Sequence, residues 1–187
     1  MNTYKGPHKH ANDPDRRKWL KPEVILSDID LKLGFTFMDI GCGGGFFALP
    51  AARVVGESGK VYGVDIDAKS ISELEELASR EALHNLDLVV GRAEDVVLCE
   101  SCADIAFFGE VLHDFEDPAR VLQNVKKMLK PVGRIVNLDW KKVNMQLGPP
   151  LVKRFSEEEA SRLITAAGFR LVSIKDVVYY YLMVAKL

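Results

Sequence analysis

Phe37-Met38-Asp39-Ile40-Gly41-Cys42-Gly43-Gly44-Gly45, followed one helix later by Val61-Tyr62-Gly63-Val64-Asp65, decides the fold of this chain. It reads as a strand, a glycine-rich turn, a helix and a second strand that ends in a carboxylate. Glycine lets a backbone turn tightly and approach a ligand closely. An acid at the tip of the second strand can accept both hydroxyls of a ribose. The glycine order is not that of the dinucleotide fingerprint G-x-G-x-x-G, whose third glycine would fall at Phe46. Here the run is Asp39-x-Gly41-x-Gly43-x-Gly45. A carboxylate two residues before the first glycine repels a phosphate and favours a ligand that carries an ammonium or a sulfonium.

With this order the sequence resembles the class I S-adenosylmethionine-dependent methyltransferases. The resemblance implies a Rossmann-like three-layer α/β sandwich, with a seven-stranded, mostly parallel sheet and an antiparallel last strand. It implies S-adenosylmethionine as cofactor and S-adenosylhomocysteine as product. Gly41, Cys42 and Gly43 would lie against the methionine part, and Asp39 would help hold its amino group, often through water. Asp65 would bind the ribose hydroxyls and Ile66 would pack on the adenine.

Gly91-Arg92-Ala93-Glu94-Asp95 resembles the family's adenine loop, often G-D-A-E-D, and departs from it at Arg92. The Ala93 amide can meet a ring nitrogen, and Glu94 or Asp95 can supply the acceptor that Arg92 does not. The two acids are equally readable as solvated loop residues. Beyond the fourth strand, the resemblance sends Gly109 and Glu110 to the methionine end and His113 to the substrate. A histidine suits proton removal near neutral pH, although His113 could instead cap or pack the following helix. Gly109-Glu110-Val111-Leu112 stands where enzymes that methylate base amines carry N/D-P-P-F/Y.

The remaining chain alternates helix and strand patterns, which implies a parallel sheet covered on both faces. Helices are expected over 24–31, 46–55, 68–83, 118–129 and 156–167. Asp67 and Asp117 serve as N-caps, Asn85 as a stop, and Ser156 with Glu159 as a capping box. Strands are expected over 86–90, 104–108, 134–138, 171–178 and 180–185. The last two are too close in sequence to pair in parallel.

Composition frames the function. The 187 residues are 48% hydrophobic with a net charge of -2, an ordinary globular balance that gives no support to nucleic-acid binding. No apolar run approaches a membrane span. A polar stretch from Met1 to Leu20 and three cysteines argue for the cytoplasm and against a disulfide framework. Cys99-x-x-Cys102 lacks a second pair, so no metal site is expected.

The expected organisation is one methyltransferase domain over 1–187, with residues 1–21 as a lid-like segment and 22–187 as the core. Asp13-Pro14-x-Arg16-Arg17-x-Trp19-Leu20, Asp139-Trp140-Lys141-Lys142 and Gly148-Pro149-Pro150 resemble short members of the ubiquinone/menaquinone-biosynthesis-like (type 11) branch. By that likeness Asp139, Trp140 and Lys141 lie at the substrate face, with Arg154 within reach. The expected reaction is methyl transfer to a small-molecule acceptor. A non-catalytic sensor of the cofactor or its product is the alternative, and an NAD-dependent oxidoreductase a more distant one. The acceptor and the oligomeric state are not legible in the sequence.

Overall fold

The computed structural model describes residues 16–187. Of the lid-like segment, residues 1–15, including Asp13 and Pro14, lie outside the described residues. The elements run α1 (Pro22–Asp28), β1 (Thr36–Ile40), α2 (Ala48–Val55), β2 (Lys60–Asp65), α3 (Ala68–Arg80), β3 (Leu86–Val90) and β4 (Ala103–Gly109). They continue with α4 (Pro118–Met128), β5 (Leu129–Trp140), α5 (Glu157–Ala166), β6 (Arg170–Val177) and β7 (Tyr180–Lys186). Short 3-10 turns occupy Arg16–Lys18, Leu112–Asp114 and Leu151–Lys153.

One seven-stranded sheet has the order β3-β2-β1-β4-β5-β7-β6. β1 to β5 pair in parallel, and β7 inserts antiparallel between β5 and β6. The central strands are apolar almost without interruption because both faces are covered. Neighbouring residues go to opposite sides: Phe37, Phe107 and Tyr180 pack with α1, α2 and α3, while Met38, Phe108 and Tyr181 pack with α4 and α5.

Local signals set most boundaries. Asp117 accepts the Arg120 N–H and Pro118 opens α4. Ser156 and Glu159 complete the expected capping box. Three expectations need correcting. α3 ends at Arg80 with Ala82 at φ 53°, ahead of Asn85. The Asn85 amide instead donates to the Ala52 and Gly56 carbonyls at the end of α2. β5 begins at Leu129, five residues before the expected start, because a register shift opposite Ala103 to Ile105 accommodates Lys130-Pro131-Val132. Cys99 and Cys102 are joined in a disulfide, where the odd number of cysteines argued against a disulfide framework, across a turn in which Ser101 has φ 47°.

Candidate active site

Strand order reverses between β1 and β4, so the loops after these strands diverge and leave a crevice at the carboxyl edge of the sheet. A cavity of about 360 Å³ lies there. The glycine turn forms its floor. Gly41 takes φ +78°, and a side chain on it would collide with Val111, its Cγ2 2.6 Å from the added carbon. Gly43, at φ +50°, faces open space, with Asp65 Oδ2 as the nearest atom at 4.0 Å. Gly41 is therefore glycine for packing, and Gly43 keeps the backbone bare toward a ligand.

Asp65 ties this floor to the end of β2. Its Oδ2 accepts the Gly43 N–H at 2.7 Å and its Oδ1 the Asp67 N–H at 2.9 Å. Each oxygen has a further lone pair for a hydroxyl. Ile66 beside it lines the cavity with 68% of its surface exposed. Cys42 lines it too, as a free, buried thiol whose pKa burial pushes up.

Asp39 is buried at the back of the cavity. Burial raises its carboxyl to about 7; the Arg16 charge opposes the shift and Asp65 adds to it. Its Oδ2 has no hydrogen-bond partner among the described residues.

Ala93 and Glu94 form the side wall. Glu94 is only 6% exposed, and its Oε1 accepts the Glu116 N–H at 3.2 Å. The carboxylate thus also fastens the approach to α4, a role the sequence reading lacks. Arg92 turns to Glu116 at 2.7 Å, and Asp95 pairs with Arg120 at 2.8 Å without lining the cavity.

Gly109 and Glu110 close the crevice from β4. Gly109 has no room for a side chain between Phe107 and Phe47, each 2.9 Å from an added carbon. Glu110 has φ 61°, a left-handed conformation that costs a side-chain-bearing residue energy. Its carboxylate pairs with the Arg16 guanidinium, and its Oε1 is buried with no hydrogen-bond partner among the described residues.

His113 follows in the 3-10 turn and lines the cavity. Its Nδ1 lies 2.7 Å from Asp139 Oδ1, with both side chains almost wholly buried. Asp139 Oδ1 also accepts the Trp140 N–H at 2.8 Å. Burial acts to lower the His113 pKa, but the hydrogen bond and charge of Asp139, with Asp114 and Glu110, outweigh it and the net shift is upward. Burial holds the Asp139 carboxyl above the usual range despite His113.

Of the three expected substrate residues, Trp140 lines the cavity and the other two do not. Asp139 is fully buried at the end of β5 and faces the cavity only through His113. Lys141 turns away: its ammonium bonds the Val178 carbonyl at 2.8 Å and pairs with Asp176 across the β6–β7 turn. Arg154 does not reach the cavity either. It is 3% exposed and donates to the Pro149, Lys141, Val143 and Leu147 carbonyls at 2.6–3.1 Å. It thereby shapes the loop that brings Gly148 and Pro149 to the cavity, where Gly148 lies flat on the Trp140 indole.

Arg16 also lines the cavity. The sequence reading placed it in a covering segment but gave it no partner. Its guanidinium carbon lies 3.8 Å from the centre of the Phe46 ring. Trp19 Nε1 donates to the Tyr180 hydroxyl at 3.1 Å, fastening the same segment to β7.

The reversed strand order, the glycine turn, the acid ending β2 and the inserted antiparallel β7 are those of the class I S-adenosylmethionine-dependent methyltransferases. The chain belongs to the methyltransferase domain family, which it matches over residues 31–174. It is similar to the 2-phytyl-1,4-naphtoquinone methyltransferase of Trichormus variabilis, with 33% identity over 66% of this chain and 55% of the relative. The demethylmenaquinone methyltransferase of Oceanobacillus iheyensis shares 27% identity over 66% of this chain and 51% of its own length. The matches thus span about half the length of these curated relatives. A solved S-adenosylmethionine-dependent methyltransferase from Aquifex aeolicus superposes with a TM-score of 0.88 at 29% identity, over 93% of both chains.

Proposed function

We propose that this chain transfers a methyl group from S-adenosylmethionine to a small aromatic acceptor that gives up a proton to His113. One observation carries the reading: a single cavity joins the bare backbone at Gly43 and the Asp65 carboxylate to His113, which is backed by Asp139. The residues fit the cofactor. Gly43 leaves space where a Cβ would intrude, and buried acid oxygens of Asp39 and Glu110 remain to receive a cationic group.

In this reading Asp65 holds the ribose, Ile66 and Ala93 flank the adenine, and Gly41 to Gly43, Gly109 and Glu110 border the methionine part. When bound, S-adenosylmethionine supplies a methyl already made electrophilic by its sulfonium. The protein's task is then alignment, exclusion of water and removal of a proton. Asp139 holds His113 through Nδ1, which leaves Nε2 to take a proton from an acceptor hydroxyl. As the proton moves, the Asp139 carboxylate stabilises the imidazolium. Trp140, Phe46 and Phe115 give the cavity aromatic walls against which a ring can stack. The names of the relatives, which act on a phytyl-naphthoquinone and on a demethylmenaquinone, support an aromatic acceptor. A protein that only sensed the cofactor would have no use for a buried His113–Asp139 pair.

The domain is proposed to be a single one, with residues 16–21 as a covering arm. Its proposed location is the cytoplasm, where S-adenosylmethionine is made. No helix among the described residues is long and apolar enough to cross a membrane.

The test has two parts. Calorimetric titration should show S-adenosylhomocysteine binding and no comparable binding of NADH. Incubation with S-adenosylmethionine and reduced naphthoquinones should yield a product heavier by one methylene group. Tighter binding of NADH would refute the cofactor assignment, and methylation confined to acceptors without an ionisable proton would refute the role of His113.

A further inference from the structure

Behind His113, on the side of the sheet covered by α4 and α5, three polar side chains are buried among apolar ones. Asn137 and Asp139 stand two residues apart on β5, and Tyr181 lies directly opposite Asp139 on β7. A strand alternates its faces, so all three side chains leave the sheet on the same side. Phe108 and Met183, the register partners of Asn137, belong to the apolar layer there. All three polar residues are fully buried, and neither Asn137 nor Tyr181 lines the cavity.

The Asp139 carboxylate is engaged on one oxygen only. Oδ1 meets His113 Nδ1 at 2.7 Å and accepts the Trp140 N–H at 2.8 Å. Oδ2 has no hydrogen-bond partner among the described residues, and neither do Asn137 Nδ2 and Oδ1 or the Tyr181 hydroxyl. Such atoms are costly in a dry interior. They are also within reach of one another: Asn137 acts on the Tyr181 hydroxyl as a donor that favours the phenolate, and the Asp139 charge opposes it. We propose that Tyr181 and Asn137 are positioning residues for the methyl transfer: the Asn137 amide donates to the Tyr181 oxygen, the Tyr181 hydroxyl donates to Asp139 Oδ2, and Asp139 so held fixes His113. A small turn of either side chain, or one bridging water, completes each contact. The donors run in one direction and end on the carboxylate, which keeps its charge in a place where burial favours its loss. Oδ1 is then left to the His113 Nδ1–H, and Nε2 is the nitrogen presented to the acceptor. This rests on the reading of His113 as the base and adds two residues that never touch the acceptor.

The test follows His113 by nuclear magnetic resonance on the full chain with isotope-labelled histidine, and needs neither cofactor nor acceptor. The His113 lines are identified by their loss in His113→Gln. The other charges that face the cluster, Asp114 and Glu110 around His113 and Glu157 and Glu159 of α5 around Tyr181, stay as they are. Tyr181→Phe deletes one oxygen and keeps the ring. Without that donor the His113–Asp139 pair takes up a proton more readily, so its apparent pKa should rise by about one unit. Asn137→Leu should move it the same way by less. In an Asp139→Asn background Tyr181→Phe should add nothing, because it acts only through the carboxylate. With S-adenosylmethionine and a reduced naphthoquinone, Tyr181→Phe should lower kcat about tenfold and leave the acceptor KM unchanged.

An unmoved His113 titration in Tyr181→Phe would overturn the proposal. So would an equal shift with and without the Asp139 carboxylate, since Tyr181 would then act by packing alone. If Tyr181→Phe does not fold, Asn137→Leu decides by the same criterion. The wild-type chain supplies a further check: a Tyr181 hydroxyl proton held by Asp139 exchanges slowly and gives its own line, and absence of that line would overturn the proposal as well. If the titration shifts as expected but no acceptor is methylated, the hydrogen-bonded chain stands and it is the methyltransferase reading that falls.

Discussion

The two ends of the sheet share the same strands and differ in how their polar groups are used. Where β1, β4 and β5 begin, Asp104 accepts the Thr36 N–H at 2.8 Å and the Lys130 ammonium at 2.7 Å. Arg134 donates to the Ile29 and Asp30 carbonyls, and Asn85 closes the end of α2, leaving only its Oδ1 without a partner among the described residues. Where the strands finish, three buried acid oxygens, on Asp39, Glu110 and Asp139, have no hydrogen-bond partner among the described residues. Glu110 adds backbone strain at the same edge. Asp104 and Arg134 spend their polar atoms on the fold, whereas Asp39 and Glu110, which border the cavity, keep acceptor capacity in reserve.

The sharpest way to break this contrast is Asp65→Ala. Two hydrogen bonds from ribose hydroxyls to a carboxylate are together worth about a hundredfold or more in affinity. Titration with S-adenosylhomocysteine should show that loss. Asp65 also holds the Gly43 and Asp67 N–H groups, so the melting temperature without ligand should fall as well. Unchanged affinity would make Asp65 a purely structural acid and erase the distinction between the two edges.

A smaller effect is expected at the acceptor side. His113 works as a base only when neutral, so kcat should fall as pH drops through its pKa, which lies above the ordinary 6.5. Asp139→Asn removes the charge that helps to raise it and leaves at most a neutral hydrogen bond. The acid limb of the pH profile should move to lower pH, and kcat should fall about a hundredfold. KM for the acceptor should change little, because Asp139 does not line the cavity. A fall in kcat with an unmoved acid limb would reduce Asp139 to a packing role.

The smallest effects set one acid against another by melting temperature. Asp104→Ala should destabilise the chain by about 1–2 kcal/mol and leave cofactor affinity unchanged. Asp39→Asn should do the reverse. Burial raises the Asp39 pKa from 3.8 to about 7. Between these values the folded chain binds more protons than the unfolded one, so this group erodes stability as pH rises, with the full cost reached above 7. At pH 8 the asparagine variant should therefore melt higher than wild type, yet bind the cofactor more weakly.

The halves of the site differ in how far the sequence announces them. Asp39 to Gly45 and Asp65 sit on two strands joined by one helix, and their spacing alone conveys a backbone cradle. The Asp117 and Ser156 caps are equally local. The rest of the cavity wall is assembled across long separations: Arg16 with Glu110, His113 with Asp139, and Trp19 with Tyr180, the last 161 residues apart. No periodicity or cap encodes such pairs, because they exist only once the N-terminal turn, β4, β5 and β7 are brought together in the sheet. Lys141 lies off the cavity for a related reason. The chain leaves β5 at Trp140, and the β6–β7 turn captures the lysine through Asp176 and the Val178 carbonyl. Glu94 was legible as a cavity acid, but its bond to the Glu116 N–H depends on where α4 begins in space.

Arg154 grips the 141–150 loop through main-chain carbonyls, at Lys141, Val143, Leu147 and Pro149. Carbonyls are common to every amino acid, so the shape of this rim does not depend on which side chains the rim displays. Met145 and Leu147 pack against the core, whereas Val143 is more than half exposed. A lineage could exchange Val143, Asn144 or Gln146 and present a new chemical face to incoming molecules without redrawing the entrance. One interior arginine thus separates the inheritance of form from the evolution of taste.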